Sequence, residues 1–322
     1  MWWKILIIAL AVFFILLVLF AIFEVELMLA PKSRFAKKIN WNGPMPEPKN
    51  DAEKVCLENR NKIIERAGQW NFSTPHTELT IKTKDGLTLY GYEYLQKNKS
   101  HNWVILAHGF HSPEDESAEY GMYYFEKDYN VLAPRDRANG KSEGRYIGMG
   151  WLDKDDIIIW INKIVEKDSD AKIVLHGVSM GGATVMMVTG EKIPSNVVCA
   201  IEDCGYTSVF DEFSAQAKNV LHMPAYPIVP MCSVVSKILC KYSFKEASSV
   251  KQVKKSSTPT LFIHGANDLY VPTEMVYRNY DAAVCPKEIF VMPEAQHAMS
   301  KNQNPDLYWS KVFTFIDDYI SK

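Results

Sequence analysis

The stretch Gly177-Val178-Ser179-Met180-Gly181 sets a hydroxyl between two glycines two residues away on either side. That spacing suits a tight turn from a strand into a helix. Such a turn holds Ser179 in a strained backbone conformation, and only glycines at Gly177 and Gly181 let the chain pass closely enough. The serine oxygen would then project at the carboxyl edge of a sheet, where open α/β sheets bind ligands. A serine hydroxyl is a poor nucleophile until a base removes its proton. Downstream of Ser179 the chain offers three histidines: His222, His264 and His297. His297 lies in the polar stretch Pro293-Glu294-Ala295-Gln296-His297, after the last expected strand, and can reach back over the sheet edge. His264 closes an apolar strand and His222 sits in an irregular segment, so His297 is the expected base. The carboxylate that orients such an imidazole is expected at Asp268, just past a strand end, with Asp203 as the competitor. The order Ser, Asp, His is the one that goes with this kind of elbow.

Nucleophile, base and acid together make acyl transfer the expected chemistry, which also needs donors for a developing oxyanion. The backbone N–H of Met180, directly after the nucleophile, is one candidate. Phe110 N–H, in His108-Gly109-Phe110-His111, is the other, with Gly109 permitting close approach. His108 and His111 could suggest a metal pair, but no third ligand stands at a sensible spacing. No metal and no cofactor are expected, since the elbow is the one Gly-rich element and no phosphate-binding loop is present.

These residues must be carried by regular elements, and the hydrophobic pattern supplies them. Leu79–Thr83 and Leu87–Tyr92 flank Asp85-Gly86 and read as a hairpin. Near-continuous apolar strands follow at 103–107, 129–133, 172–176, 197–201, 260–263 and 288–292. Helical patterns cover 51–68, 155–167, 182–189, 272–283 and 305–320, and Ser112-Pro113-Glu114-Asp115 carries the signs of another helix start. Fully apolar strands alternating with helices mean an α/β fold: a mainly parallel sheet covered by helices on both faces. About 55 residues between the strands at 201 and 259 break this rhythm and read as a lid insertion, at about 205–258.

Of the 322 residues, 36 Lys and Arg stand against 38 Asp and Glu, a net charge of -2. That balance gives no field to hold a polyanion, so a nucleic-acid partner is not expected. Ile5 to Phe23 is an unbroken run of 19 apolar residues. At ~1.5 Å per residue it spans roughly 28 Å, close to the hydrocarbon core of a bilayer. A cleaved signal peptide and a buried core helix are the alternatives, but the run exceeds the usual signal length of ~7–15 residues. Lys32, Arg34, Lys37 and Lys38 favour a cytoplasmic domain, whereas the short tail before the run favours the opposite side, so the face stays open. The expected organisation is a single-pass membrane anchor at 1–30, a linker and short helix at 31–74, and a catalytic domain at 75–322. The six cysteines show no C-x-x-C pair and read as small buried hydrophobes.

His108-Gly109-Phe110, Gly177-Val178-Ser179-Met180-Gly181-Gly182, Asp203-Cys204-Gly205-Tyr206-Thr207-Ser208, His264-Gly265-x-x-Asp268 and His297 together resemble the α/β-hydrolase superfamily. The likeness is greatest to bacterial membrane-anchored hydrolases near the Bem46-like and serine aminopeptidase-like groups, and covers about residues 75–320. The resemblance implies a serine hydrolase with Ser179, Asp268 and His297 as triad and Phe110 and Met180 as oxyanion donors. Its expected substrate is a small-molecule carboxylic ester with an apolar acyl group; a peptide, amide or thioester is the alternative. A catalytically inactive, membrane-tethered binding protein is a further alternative of another class. One turn departs from the pattern. Where relatives carry Asp-x-Arg-x-His-Gly-x-Ser, this chain has Arg135-Asp136-Arg137-Ala138-Asn139-Gly140-Lys141-Ser142, with Arg135 replacing the acid and Asn139 the histidine.

Overall fold

A computed structural model describes residues 2–39, 47–113 and 115–320. Residues 40–46 of the expected linker and Glu114 of the expected helix start lie outside the described residues. The apolar segments form eight strands: β1 (Thr77–Lys82), β2 (Thr88–Tyr94), β3 (Asn102–Ala107), β4 (Asn130–Pro134), β5 (Lys172–Val178), β6 (Val197–Asp203), β7 (Thr260–Gly265) and β8 (Lys287–Met292). They make one sheet in the order β1-β2-β4-β3-β5-β6-β7-β8. β1 and β2 are the expected hairpin, with Ile81 opposite Leu89, and Gly86 takes the left-handed φ of 88° that its turn demands. β2 is antiparallel to β4, and every later pairing is parallel.

Strands buried on both sides need cover on both sides, and their alternate residues show which helices provide it. Val104, Leu106, Val131, Val174 and Ile201 face α3 (Ala118–Phe125) and α11 (Pro305–Ile320) through Tyr124, Tyr308, Val312 and Phe315. Trp103, Ile105, Leu132, Ile173 and Leu175 face α4 (Asp153–Lys167) and α5 (Met180–Thr189). α4 begins two residues before the periodicity indicated, with Asp153, Asp155 and Asp156 in its first turn, where acids favour the helix dipole. Its Ile157, Ile161 and Ile164 form the buried stripe.

α2 (Asp51–Ser73) runs five residues past its expected end because Trp70 stacks on Tyr94 at 4.7 Å and meets Phe125. Its N-terminus is capped by Asn50 Oδ1, which accepts from Glu53 N at 2.8 Å. The helix expected from Ser112 begins instead at Ala118. Ser112 Oγ donates to Glu116 Oε2 at 2.5 Å, so the segment fixes the preceding loop before any helix starts.

Between β6 and β7 the chain forms α6 (Val209–Asn219), α7 (Ala225–Leu239) and α8 (Ser249–Val253). Val209, Ala217, Val229 and Val235 from this segment share a core with Met180 and Tyr206. α9 (Glu274–Ala282) and α10 (Ser300–Gln303) flank β8 in the chain. The N-terminal helix α1 (Trp2–Leu29) is exposed over its apolar length, and Ala21, Val25 and Leu29 of its last turns are buried as an i, i+4, i+8 stripe. That stripe packs into the same core, beside α7. All six cysteines are free and buried.

Arg137 ties this frame together where β4 leaves the sheet. It donates to Asp156 at 2.6 and 3.0 Å and to Asp85 in the hairpin turn at 2.7 and 3.0 Å. Asp156 is buried, whereas the Asp85 side chain is 57% exposed. Arg137→Met should therefore leave a buried carboxyl uncompensated and cost roughly 3–5 kcal/mol. Asp85→Ala should cost far less, because solvent screens that half of the contact. Thermal midpoints of the two purified variants against wild type check the ranking.

Candidate active site

Ser179 stands at the junction of β5 and α5 with φ 57° and ψ −116°, a conformation unfavourable for any residue with a Cβ. The surroundings over-determine it. Ser179 N donates to Asp203 O at 2.8 Å, and Ser179 O accepts from Ala183 N at 3.0 Å. A Cβ on Gly177 would collide with the Gly181 carbonyl, and one on Gly181 with the Ala107 carbonyl. The turn thus crosses the end of β3 at backbone contact, and both elbow positions admit glycine alone.

His297 arrives on the loop after β8, where its Nε2 lies 2.9 Å from Ser179 Oγ. Its Nδ1 lies 2.7 Å from Asp268 Oδ2, so an Nδ1–H donated to the carboxylate leaves Nε2 to accept from the serine. Asp268 follows β7, and its Oδ1 accepts from Tyr270 N and Val271 N, each at 2.9 Å. Burial alone would raise this carboxyl. The charge of His297 and the hydrogen bonds from His264 and His297 outweigh burial and hold it down to about 2. The Tyr270 ring lies over His297 with centroids 4.9 Å apart.

The alternatives read from the sequence fall elsewhere. His264 is fully buried and its Nε2 meets Val271 O at 2.9 Å and Asp268 Oδ2 at 3.2 Å, bracing the Asp268 loop from behind. His222 is exposed between α6 and α7. Asp203 Oδ2 accepts from Tyr308 OH at 2.8 Å. That hydroxyl is 3.1 Å from His176 Nε2, and His176 Nδ1 is 2.9 Å from Tyr124 OH, giving a buried polar chain under the site. Burial pushes Asp203 up to about 6 and His176 down to about 3.

Phe110 follows β3, and Met180 opens α5, whose first N–H groups have no partner within the helix. The Phe110 loop is pinned on both flanks. Glu116 Oε2 accepts from Gly109 N at 3.0 Å as well as from Ser112 Oγ. His108 meets Gly109 O at 2.8 Å through Nδ1 and accepts from Asp136 N at 3.1 Å through Nε2. Burial and the Arg135 charge push His108 down to about 4, which suits an imidazole that holds two loops as a neutral tautomer. The altered turn has a physical rationale: Arg135 Nη2 donates to Asn139 Oδ1 at 2.7 Å, and both side chains reach Ser112 O, at 3.3 and 3.2 Å. Arg and Asn thus form a pair across the two changed positions and steady the same loop. Glu116 gave no sign in the sequence, because an acid ahead of a helix usually reads as a solvated first turn.

Two clusters could in principle offer metal ligands among the described residues: Cys204 with Asp268 and His297, and His101 with Asp168 and Asp170. In the first, burial pushes the Cys204 thiol well up, which keeps it protonated and a poor ligand. In the second, Asp168 is engaged by His101 Nδ1 at 2.7 Å and by Trp103 Nε1 at 3.3 Å.

Residues 149–322, which include the elbow, Asp268 and His297, match the model of the prolyl oligopeptidase family. The chain belongs to that family. It is similar to YqkD of Bacillus subtilis strain 168, with 26% identity over 243 residues, 75% of this chain and 79% of that one. Among solved structures it resembles the Pyrococcus furiosus esterase Pf2001, with a TM-score of 0.63 and 21% identity over 87% of this chain and 99% of the esterase. It also resembles the Pyrococcus horikoshii acylaminoacyl peptidase, with a TM-score of 0.57 and 16% identity over 77% of this chain and 41% of the peptidase. Both share its α/β-hydrolase fold. This family member is therefore a hydrolase carried on an α/β-hydrolase sheet with one long apolar N-terminal helix.

The low value at Asp268 carries a pH signature. A carboxyl depressed from 3.8 to about 2 adds stability that is fully present above about pH 4 and is lost as pH falls through 2. The stability difference between wild type and Asp268→Asn should be level from pH 5 to 8 and close progressively below pH 4. Thermal midpoints across that range check it, and a difference that instead widens in acid would reverse the assigned sign.

Proposed function

We propose that the protein is a membrane-anchored serine hydrolase that cleaves a carboxylic ester through an acyl-enzyme. The observation that carries this reading is the continuous hydrogen-bonded path Ser179 Oγ, His297 Nε2, His297 Nδ1, Asp268 Oδ2, at 2.9 and 2.7 Å. Ser179 attacks the acyl carbon as His297 takes its proton. The tetrahedral oxyanion is met by the N–H groups of Met180 and Phe110. His297 then returns the proton to the leaving alcohol, and a water activated by the same imidazole releases the acid. Asp268 keeps its charge throughout, fixes the tautomer and stabilises the imidazolium.

An ester is favoured over a peptide by the state of the two acids on α6, Asp211 and Glu212. A peptide amine needs a charged carboxylate to meet it. Glu212 is buried and pushed up to about 8, which leaves it neutral near pH 7. Asp211 is held by Thr207 Oγ1 at 2.6 Å and by Arg278 at 3.0 Å. Residues 1–30 serve in this reading as the anchor, 31–74 as the connection, and 75–322 as the catalytic domain, with 205–258 as its lid. Phe213 and Ile228 of that lid pack against the core that holds Met180, which suits an apolar acyl group.

Full-length protein in detergent should label with a fluorophosphonate, and Ser179→Ala should abolish both labelling and hydrolysis of p-nitrophenyl esters. Asp268→Asn should lower kcat by roughly 10⁴-fold with the fold intact. Turnover of aminoacyl p-nitroanilides in preference to esters would replace the ester reading by a peptidase one. A folded wild type that neither labels nor turns over either substrate would favour an inactive binding protein.

A further inference from the structure

Between α1 and the lid helices lies a cavity of about 80 Å³. This is several times the ~10–15 Å³ that one water occupies by the same measure. Phe20, Val25 and Met28 wall it from α1, Ala217 from α6 and Ile228 from α7, and its polar groups are the Glu24 carboxyl and the Gln216 amide. A cavity so lined disfavours water and accepts apolar matter.

Two features connect it to the site. Gln216 Nε2 donates to Tyr270 O at 2.6 Å, and Tyr270 is the residue that lies over His297. On the other flank, His111 Nε2 donates to Met28 O at 3.2 Å, and the His111 ring packs against Phe110 at 4.3 Å. Met28, Phe110 and Met180 belong to one apolar core. The cavity is therefore linked to Ser179 through Gln216, Tyr270 and His297 on one flank and through Met28, His111 and Phe110 on the other, and its α1 wall continues into the exposed apolar length of the helix, whose mean hydropathy is 3.5.

We propose that this cavity receives the acyl chain of a long-chain ester drawn from the bilayer, so that α1 is a wall of the substrate site as well as an anchor. The inference rests on Ser179 being the acylated nucleophile. The chain slides along the apolar face of α1 into the gap between Met28 and Ala217, which brings the ester carbonyl towards the elbow without crossing water. A water-borne short acyl ester would have no use for a wall made from the anchor.

The test uses the full chain in phosphatidylcholine vesicles, labelled with fluorophosphonates that carry either a methyl or a decyl chain. The wild type should react faster with the decyl probe. Ala217→Phe and Met28→Trp, which fill the gap from opposite walls, should each cut the decyl-to-methyl ratio about tenfold or more, the worth of roughly two buried methylenes. Ile238→Trp, on the exposed side of α7, should leave the ratio as it is. A wild type without chain preference, or a ratio unmoved in both cavity variants, would overturn the proposal. The two readings separate cleanly. If p-nitrophenyl esters are hydrolysed while the ratio stays unmoved, the cavity assignment falls and the esterase stands. If only aminoacyl anilides are turned over while the ratio still drops in both variants, the ester reading falls and the cavity stands as the pocket for an apolar chain next to the acylated Ser179.

Discussion

The backbone contact between the start of α5 and the end of β3 is the constraint on which the site depends. Gly181 presses on the Ala107 carbonyl and Gly177 on the Gly181 carbonyl, so the helix can begin only by crossing at this point. The positive φ of Ser179 follows from that crossing, and so does the nearness of Met180 to the loop that begins at His108. A second crossing mirrors the first: a Cβ on Gly265 would collide with the carbonyls of Ala295 and Gln296. The end of β7, which leads to Asp268, is thereby laid against the loop that carries His297. Two close approaches at neighbouring strand ends thus set Ser179, His297 and Asp268 at hydrogen-bonding distance, and the strain at Ser179 is borne by packing that cannot relax without a clash.

Electrostatics sharpens what packing brings together. Asp203, Glu202 and Glu212 are all buried near the site, and burial pushes each of them up. Asp268 is also buried yet goes the other way, because the charge of His297 and the hydrogen bonds from His264 and His297 outweigh its burial. The region therefore holds one carboxylate beside His297 that is held down, among others that burial pushes up. In the proposed mechanism that held-down anion is the one placed to stabilise an imidazolium at His297.

The strand pattern and the elbow were legible because they are local. Period, apolar run length and the Gly-x-Ser-x-Gly spacing are dictated within a few residues, and all eight strands lie where their apolar runs indicated. What resisted reading was set by distant partners. Ser112 looks like a helix cap until Glu116 claims it for the Phe110 loop. Arg135 and Asn139 look like losses until they are seen bonded to each other. The extra turns of α2 depend on Trp70 finding Tyr94, a partner more than twenty residues away, which no helical periodicity encodes.

The same holds for α1, whose composition suggests a helix tethered by a flexible exit. In the fold its end is clamped. Met28 O and Leu29 O, carbonyls that a helix terminus leaves without internal partners, accept from His111 Nε2 and Ile147 N. Glu26 accepts from Arg145 at 2.9 and 3.0 Å and from Tyr146 OH at 2.5 Å. Lys32 Nζ reaches Ser142 O at 2.8 Å, in the turn that also carries Arg135 and Asn139. These partners lie on the segments that carry the Phe110 loop and the altered turn, so the end of α1 is fixed to the same segments as the site. The docked stripe starts at Ala21, and the residues before it, at ~1.5 Å each, span roughly 28 Å, about one hydrocarbon thickness. With α1 as the proposed anchor, a helix seated to that depth would leave no slack between membrane and domain. On the reading of α1 as an anchor, the gap between α1 and helices α6 and α7 would lie near the level of the lipid headgroups, the depth that the proposed substrate requires.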